Sequence, residues 1–173
     1  MLLLYTQIVD PNLQKIDQYV FRTCGLAIAN LTRELESQEY AAQNFELINR
    51  KFKYRTAKIT PTKTGQFVTL WQRTTSGIIA PFEINDPIDF YIIAVRKEPN
   101  LGIFIFPKAI LFQKGILSGN GKEGKRGFRV YPNWDAVENK QAQKTQDWQK
   151  LYFLHLPEHQ QIDLTRAKHL LQI

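Results

Sequence analysis

The stretch that most constrains the fold is "PIDFYIIAVRKE", residues 87–98. It is a near-continuous apolar run without the in–out alternation of a strand that has one wet face. Such a run reads as a central strand covered on both faces. Asn100 and Gly102 then turn the chain into "IFIFP", a further strand. Pro107 is placed at the first position of a short helix through Ala109, Leu111 and Phe112 that ends near Gly115.

The rest of the chain supplies layers around this pair. Asp10-Pro11 reads as a helix cap and first residue, followed by Leu13, Ile16, Val20 and Phe21 at helical spacing, with Gly25 as the stop. Residues 26–43 read as a short strand followed by an acidic loop or helix. "FELINRKFKYRTAKIT" reads as a hairpin turning near Asn49-Arg50, with Phe45, Leu47, Phe52, Tyr54 and Ile59 on its strands. Thr60-Pro61 ends it, Gly65 closes the connection, and "QFVTLWQR" returns as one more strand. In that strand Val68 and Leu70 face one way, and Phe67, Thr69 and Trp71 the other. "SGNGKEGKRG" is a flexible loop and "FRVYP" a short strand. Asp135 to Glu138 matches a capping box opening a helix that carries Ala142, Thr145, Trp148, Leu151 and Tyr152. Residues 157–173 form a tail with a last helix from Asp163.

These elements predict an α/β (α+β) fold: a mixed, largely antiparallel sheet of five or six strands with flanking helices. At 173 residues the chain reads as a single domain, large enough to bury a core unaided. Its one cysteine, Cys24, excludes a disulfide framework or a cysteine zinc cluster. "MLLLY" is too short for a signal peptide, and no stretch has the roughly 20 apolar residues of a membrane helix. A cytoplasmic protein is expected, a monomer or weak dimer with no obligate protein partner evident.

Charge is the feature that points to function. The net charge is +7, from 23 basic and 16 acidic residues. Between Glu46 and Glu83 there is no acid, but Arg50, Lys51, Lys53, Arg55, Lys58, Lys63 and Arg73 all fall there. Those seven account for the whole excess. Segregation of this kind reads as a field directed at an anionic partner. The competing reading is that folding brings Glu34, Glu36 and Glu39 against the segment.

Within it, Tyr54, Thr56, Lys58 and Thr60 would share one strand face, and Arg55 the other. Thr62, Lys63, Thr64, Gly65 and Gln66 follow around a turn. Lysine and arginine charge, with directional bonds from threonine, glutamine and backbone N–H, is what holds phosphate oxygens. Phe67 and Trp71 could pack on sugars or unstacked bases, or simply be core. A second basic element, "KEGKRGFRVY", sets Lys122, Lys125, Arg126 and Arg129 around a glycine-rich turn suited to an anion clamp. The third is the helix "NKQAQKTQDWQK", whose exposed face would show Gln141, Lys144 and Gln146.

Catalysis has less support. A Mg²⁺-dependent nuclease would need converging carboxylates; Asp86 and Asp89, with neighbouring Glu83, precede the central strand, and Glu123-x-Lys125 has an E-x-K spacing. Only that reading calls for a cofactor. A third reading is a compact pocket for a small phosphorylated or acidic ligand. His155, His159 and His169 form no recognisable catalytic pattern.

The run "RTAKITPTKTGQFVTLWQR", followed by "PFEINDPIDFYIIAVR", "GIFIFPKAIL", "GKEGKRGFRVYP" and "KQAQKTQDWQ", resembles the MepB-like family of small bacterial proteins, most clearly over residues 45–153. The family is named for its association with a drug-efflux operon. The resemblance implies a nuclease-like, restriction-endonuclease-like fold and DNA binding, with no established reaction. The positions that match its motifs are Arg55, Lys58, Thr60, Lys63, Gln66, Trp71 and Arg73; Lys122, Lys125, Arg126, Arg129 and Tyr131; and Gln141, Lys144 and Gln146. Taken together, the expected function is binding of nucleic acid, double-stranded DNA in particular, through a basic groove contacting phosphates.

Overall fold

The computed structural model describes residues 8–173; the apolar "MLLLY" start lies outside them. The apolar run is β8 (Phe90–Lys97), and residues 90–95 are buried throughout. It pairs antiparallel with β9 (Asn100–Pro107) and parallel with β3 (Arg50–Thr56). Outward from β3 come β2 (Gln43–Leu47) and β1 (Ala29–Arg33), and outward from β9 comes β11 (Phe153–Leu156). The result is a mixed sheet of six strands in the order β1-β2-β3-β8-β9-β11. Tyr54, Ile92 and Ala94 point to one side, where the amino- and carboxy-terminal helices pack. Tyr91, Ile93 and Val95 point to the other, toward a second layer. Period-two alternation of β8 between two cores is what made its sequence uniformly apolar.

Helix α1 (Pro11–Ile16) begins as its sequence predicts: the Asp10 carboxylate accepts from the Leu13 N–H at 2.9 Å, and Pro11 fills the first position. Its last turns widen and then tighten before Gly25 stops it in the left-handed region at φ 78°. The β2–β3 hairpin closes on Ile48 and Asn49, both at positive φ (50° and 58°), with Leu47 opposite Arg50. Two positive-φ residues make the primed turn whose twist matches that of the strands. At the carboxy terminus α4 (Leu164–Leu171) is capped by Asp163 and buries Ala167, Leu170 and Leu171, so residues 164–171 are part of the core and not a tail.

The second layer departs from expectation. The strand through Tyr54 to Thr60 is broken at Ala57, whose N–H makes the last bond to the central sheet, at Ala94 O. From there β4 (Lys58–Thr60), β5 (Lys63–Thr69) and β10 (Gly127–Val130) form a separate three-stranded antiparallel sheet in the order β10-β5-β4. "QFVTLWQR" is likewise two strands, β5 and then β6 (Trp71–Arg73), which pairs with β7 (Ile79–Pro81). Helix α2 (Lys108–Gln113) follows β9, with Pro107 as its cap and not its first residue. Helix α3 spans Lys140–Gln149 and is capped by Asn139, whose Oδ1 accepts from Ala142 N–H at 2.8 Å. Residues 135–138 are therefore not a helix start. The half-buried Asp135 carboxylate lies 3.8 Å from Lys97 Nζ instead of capping its own segment. Among the described residues no helix is long and apolar enough to cross a membrane.

Candidate functional site

The basic segment separates into two environments. In the first, β3 turns Lys53 and Arg55 into the space between the layers. Arg55 is fully buried, and Lys53 nearly so. Both bind Glu34: Arg55 Nη2 lies 2.6 Å from Oε2, and Lys53 Nζ 2.6 Å from Oε1. Lys53 Nζ also donates to Asn44 Oδ1 and sits 4.5 Å from the centre of the Phe82 ring. Burial would raise the Glu34 carboxyl, but the two cations outweigh it and hold the group below the usual glutamate range. Burial lowers the Lys53 ammonium even with Glu34 beside it. The Arg55 Nε–H and the Tyr91 hydroxyl are buried there without a hydrogen-bond partner. Burial, with Asp86 nearby, pushes the Tyr91 phenol above its normal range.

Several residues named from the sequence are corrected by this geometry. Arg55 cannot meet a surface ligand, because its guanidinium is sealed against Glu34. Gln66 is buried on the inner face of β5 and donates to Arg96 O at 3.1 Å. Gln146 is buried and donates to Pro132 O and Asp135 O. The neighbouring Gln149 accepts from Tyr131 N–H and donates to Arg129 O, so Gln149 satisfies the open edge of β10 and Gln146 the loop after it, instead of reading bases. Gln141 and Lys144 are exposed on α3. Arg73 is bound to Glu36 at 2.7 Å and lies over the half-buried Trp71 ring. Arg126 is paired with Glu123 at 2.7 Å. Arg50, from the same basic segment, donates to Leu171 O and Gln172 O at the end of α4.

The proposed nuclease carboxylates do not assemble. Asp86 accepts from Glu83 N–H and Gln72 Nε2, Asp89 from Lys51 N–H, and Glu123 holds Arg126. Lys125 is an exposed loop residue. Among the described residues no three acidic, histidine or cysteine side chains lie where they could share a metal ion. A cavity of about 800 Å³ does exist, lined by Lys15, Tyr19, Arg96 and the 157–165 segment. It includes none of the threonines and lysines of the basic hairpin.

The second environment is the outer face of the β4–β5–β10 sheet. Burial alternates from Gln66 to Thr69 and along β10: Gln66, Val68, Phe128 and Val130 are buried, while Phe67, Thr69, Arg129 and Tyr131 are half-buried. Lys58 on β4 is opposite Phe67 on β5, which is opposite Arg129 on β10. Cross-strand partners point to the same side, so two cations flank an aromatic ring in one row. Lys58 Nζ rests 4.8 Å from the centre of the Tyr40 ring, and Tyr40 meets Phe67 edge-on at 6.4 Å. Arg129 is fixed from below, donating to Thr60 Oγ1 at 2.7 Å and to the Thr64 and Gly65 carbonyls at 3.3 Å. The β4–β5 turn, Pro61-Thr62, adds exposed Lys63 at the rim. Among the described residues Lys58, Lys63, Arg129, Lys122 and Lys125 have no ion-pair partner.

Gly65 sits at φ 80° in the irregular part of β5, where a β-carbon would come within 2.7 Å of the Tyr131 ring. A β-carbon on Gly127 would come within 2.7 Å of the Phe67 ring. Two glycines therefore let two aromatic rings settle against the sheet. Neither Glu34 nor Tyr40 was singled out as a site residue by pattern. Glu34 was visible as one of three acids able to neutralise the segment, and Tyr40 had no signal before the chain was folded.

Comparison with known proteins places the chain. No curated protein matches it. Among solved structures, the crystal structure of MepB is similar at 39% identity and a TM-score of 0.74, covering 76% of this chain and 88% of that one. A bacterial homing endonuclease is similar at 13% identity and a TM-score of 0.42, over 82% of this chain and 87% of that one, a likeness too faint to bear on fold or chemistry. The MepB-like family model matches residues 34–155, running from Glu34 through both layers to β11. The chain belongs to the MepB-like family.

Proposed function

We propose that this protein binds nucleic acid, DNA first of all, through backbone phosphates received by Lys58, Lys63 and Arg129 on the outer face of the small sheet. The observation that carries this reading is the in-register row Lys58–Phe67–Arg129, in which neither cation has a carboxylate partner. Lys122 and Lys125, exposed in the loop that leads into β10, extend the positive field. A face whose cations are not paired with carboxylates attracts a polyanion over roughly a Debye length and holds it by displacing counterions.

Binding should be measured by fluorescence anisotropy over a range of salt concentrations. Three phosphate contacts predict a log–log slope of roughly −2 to −3. Lys58→Glu and Arg129→Glu should each weaken binding and flatten that slope, while Lys168→Glu on α4 should leave it unchanged. Absence of binding at about 50 mM salt, or equal losses at all three positions, defeats the proposal.

A further inference from the structure

We infer that the outer face of the β4–β5–β10 sheet takes an unpaired nucleic-acid strand, with bases lying against Phe67 and Tyr131 while phosphates meet Lys58, Lys63 and Arg129. This rests on the nucleic-acid reading above and narrows it.

Phe21, Phe45, Phe52, Phe104 and Phe106 are 2% exposed or less, and Phe82, Phe90, Phe128 and Phe153 are buried as well. Phe67 and Tyr131 are only half-buried, and both lie on the same sheet face. Each also leans on a glycine, Phe67 on Gly127 and Tyr131 on Gly65, where any side chain would collide with the ring. The glycines thus hold the rings close to the backbone without covering them. Ring and cation alternate across the strands at about 4.8 Å per step, Lys58 then Phe67 then Arg129.

A single strand presents the same alternation of base and phosphate, and every base has a face that stacks on an aromatic ring. A duplex hides those faces within its own stack. It is read by a helix or ribbon entering a groove, and this face projects neither. Rings on a sheet beside cations are the arrangement suited to splayed, unpaired bases. Tyr40 has a supporting part: buried beneath Lys58, it keeps the ammonium at the surface and the Phe67 ring edge-on.

The test compares three labelled probes about 20 nucleotides long, enough for more than one typical site: oligo-dT, a duplex of the same length and an abasic strand. The full chain should bind oligo-dT at least about tenfold tighter than either other probe, since each stacked base contributes on the order of tenfold. Phe67→Leu, which keeps apolar contact with Tyr40 and Gly127, should weaken oligo-dT binding about five- to tenfold and leave the abasic strand unaffected. Tyr131→Leu should act in the same direction, and the thermal unfolding of both variants reports that they are folded. Lys58→Glu should weaken all three probes. Equal affinity for oligo-dT and duplex, or Phe67→Leu and Tyr131→Leu binding oligo-dT like wild type, overturns this inference while the nucleic-acid reading stands. Failure of every probe to bind overturns both.

Discussion

Arg55 and Lys58 stand three residues apart in one acid-free run, and the fold treats them oppositely. Arg55 is fully buried between layers with Glu34 clamped to it; Lys58 is exposed beside a ring, with no carboxylate near enough to pair. The pivot is Ala57, after which the chain leaves the central sheet for the smaller one. An excess of charge along a sequence is therefore two populations: charges that found partners far away in the chain, and charges that did not. The neutralising reading of the basic segment holds for one part of it, and the rest has no ion-pair partner among the described residues. Glu34 and Glu36 neutralise Lys53, Arg55 and Arg73, while the β4–β5 hairpin stays positive.

The largest test of this contrast is Glu34→Gln. It would leave two buried cations without their counter-charge, a loss of about 3–5 kcal/mol, or roughly 6–20 °C in unfolding temperature for a chain of this size. Replacing Glu34 with Leu and both Arg55 and Lys53 with Met should recover most of that loss, because matched apolar volume removes the desolvated charges altogether. Calorimetry of the three chains decides it, and a Glu34→Gln protein as stable as wild type breaks the contrast.

Acid offers the same test without replacing all three residues. The folded Glu34 carboxyl lies below its unfolded value, so its contribution is complete above the ordinary glutamate pKa of about 4.3 and fades as pH falls through the lower folded value. Denaturation of wild type measured down that window should show a steep loss whose Glu34 component is missing in Glu34→Gln. Parallel curves for the two proteins would mean the network does not titrate as a unit.

A smaller effect concerns what shapes the exposed face. Gly65 and Gly25 both have positive φ, but only at Gly65 would a β-carbon strike a ring. Gly65→Ala should cost about 1–3 kcal/mol and weaken nucleic-acid binding by displacing Tyr131. Gly25→Ala should cost less and leave binding alone. Equal costs at the two positions would show that backbone strain alone sets the price and that Tyr131 does not need Gly65.

How far the sequence disclosed this depends on the distance over which each signal acts. The β8 strand, the amino-terminal cap and the β2–β3 hairpin, which turns at Ile48-Asn49, one residue before the expected Asn49-Arg50, were legible because periodicity, caps and turn residues are local. The break at Ala57 and the second at Leu70 were not, since the run through both keeps its alternation and only the choice of pairing partner splits it. Asp135 to Glu138 carries the spacing of a capping box yet lies outside the helix, because Asn139 caps it instead. The β11 strand was missed for a related reason: "FLHL" follows a helix directly and draws its strand character from pairing with β9. At the site, Lys58, Lys63 and Arg129 were identifiable by type, whereas Gln66 and Gln146 were misread. A glutamine that satisfies a buried carbonyl has the same sequence appearance as one that reaches for a base.

Glu36→Gln is expected to have the smallest effect, and it sharpens the contrast from the opposite side. Its partner Arg73 is 45% exposed and Glu36 is 39% exposed, so water already solvates both and the pair adds little to stability. The unfolding temperature should stay where it is. Binding should respond, because the freed guanidinium lies over Trp71 at the end of the same strand path as Phe67 and becomes available to a phosphate. Salt titration should then show affinity a few-fold higher at low salt and a slope steeper by about one unit. If Glu36→Gln instead destabilised the fold as Glu34→Gln does, exposure would be no guide to which acids serve structure. Charge would then have to be read by sequence neighbourhood after all.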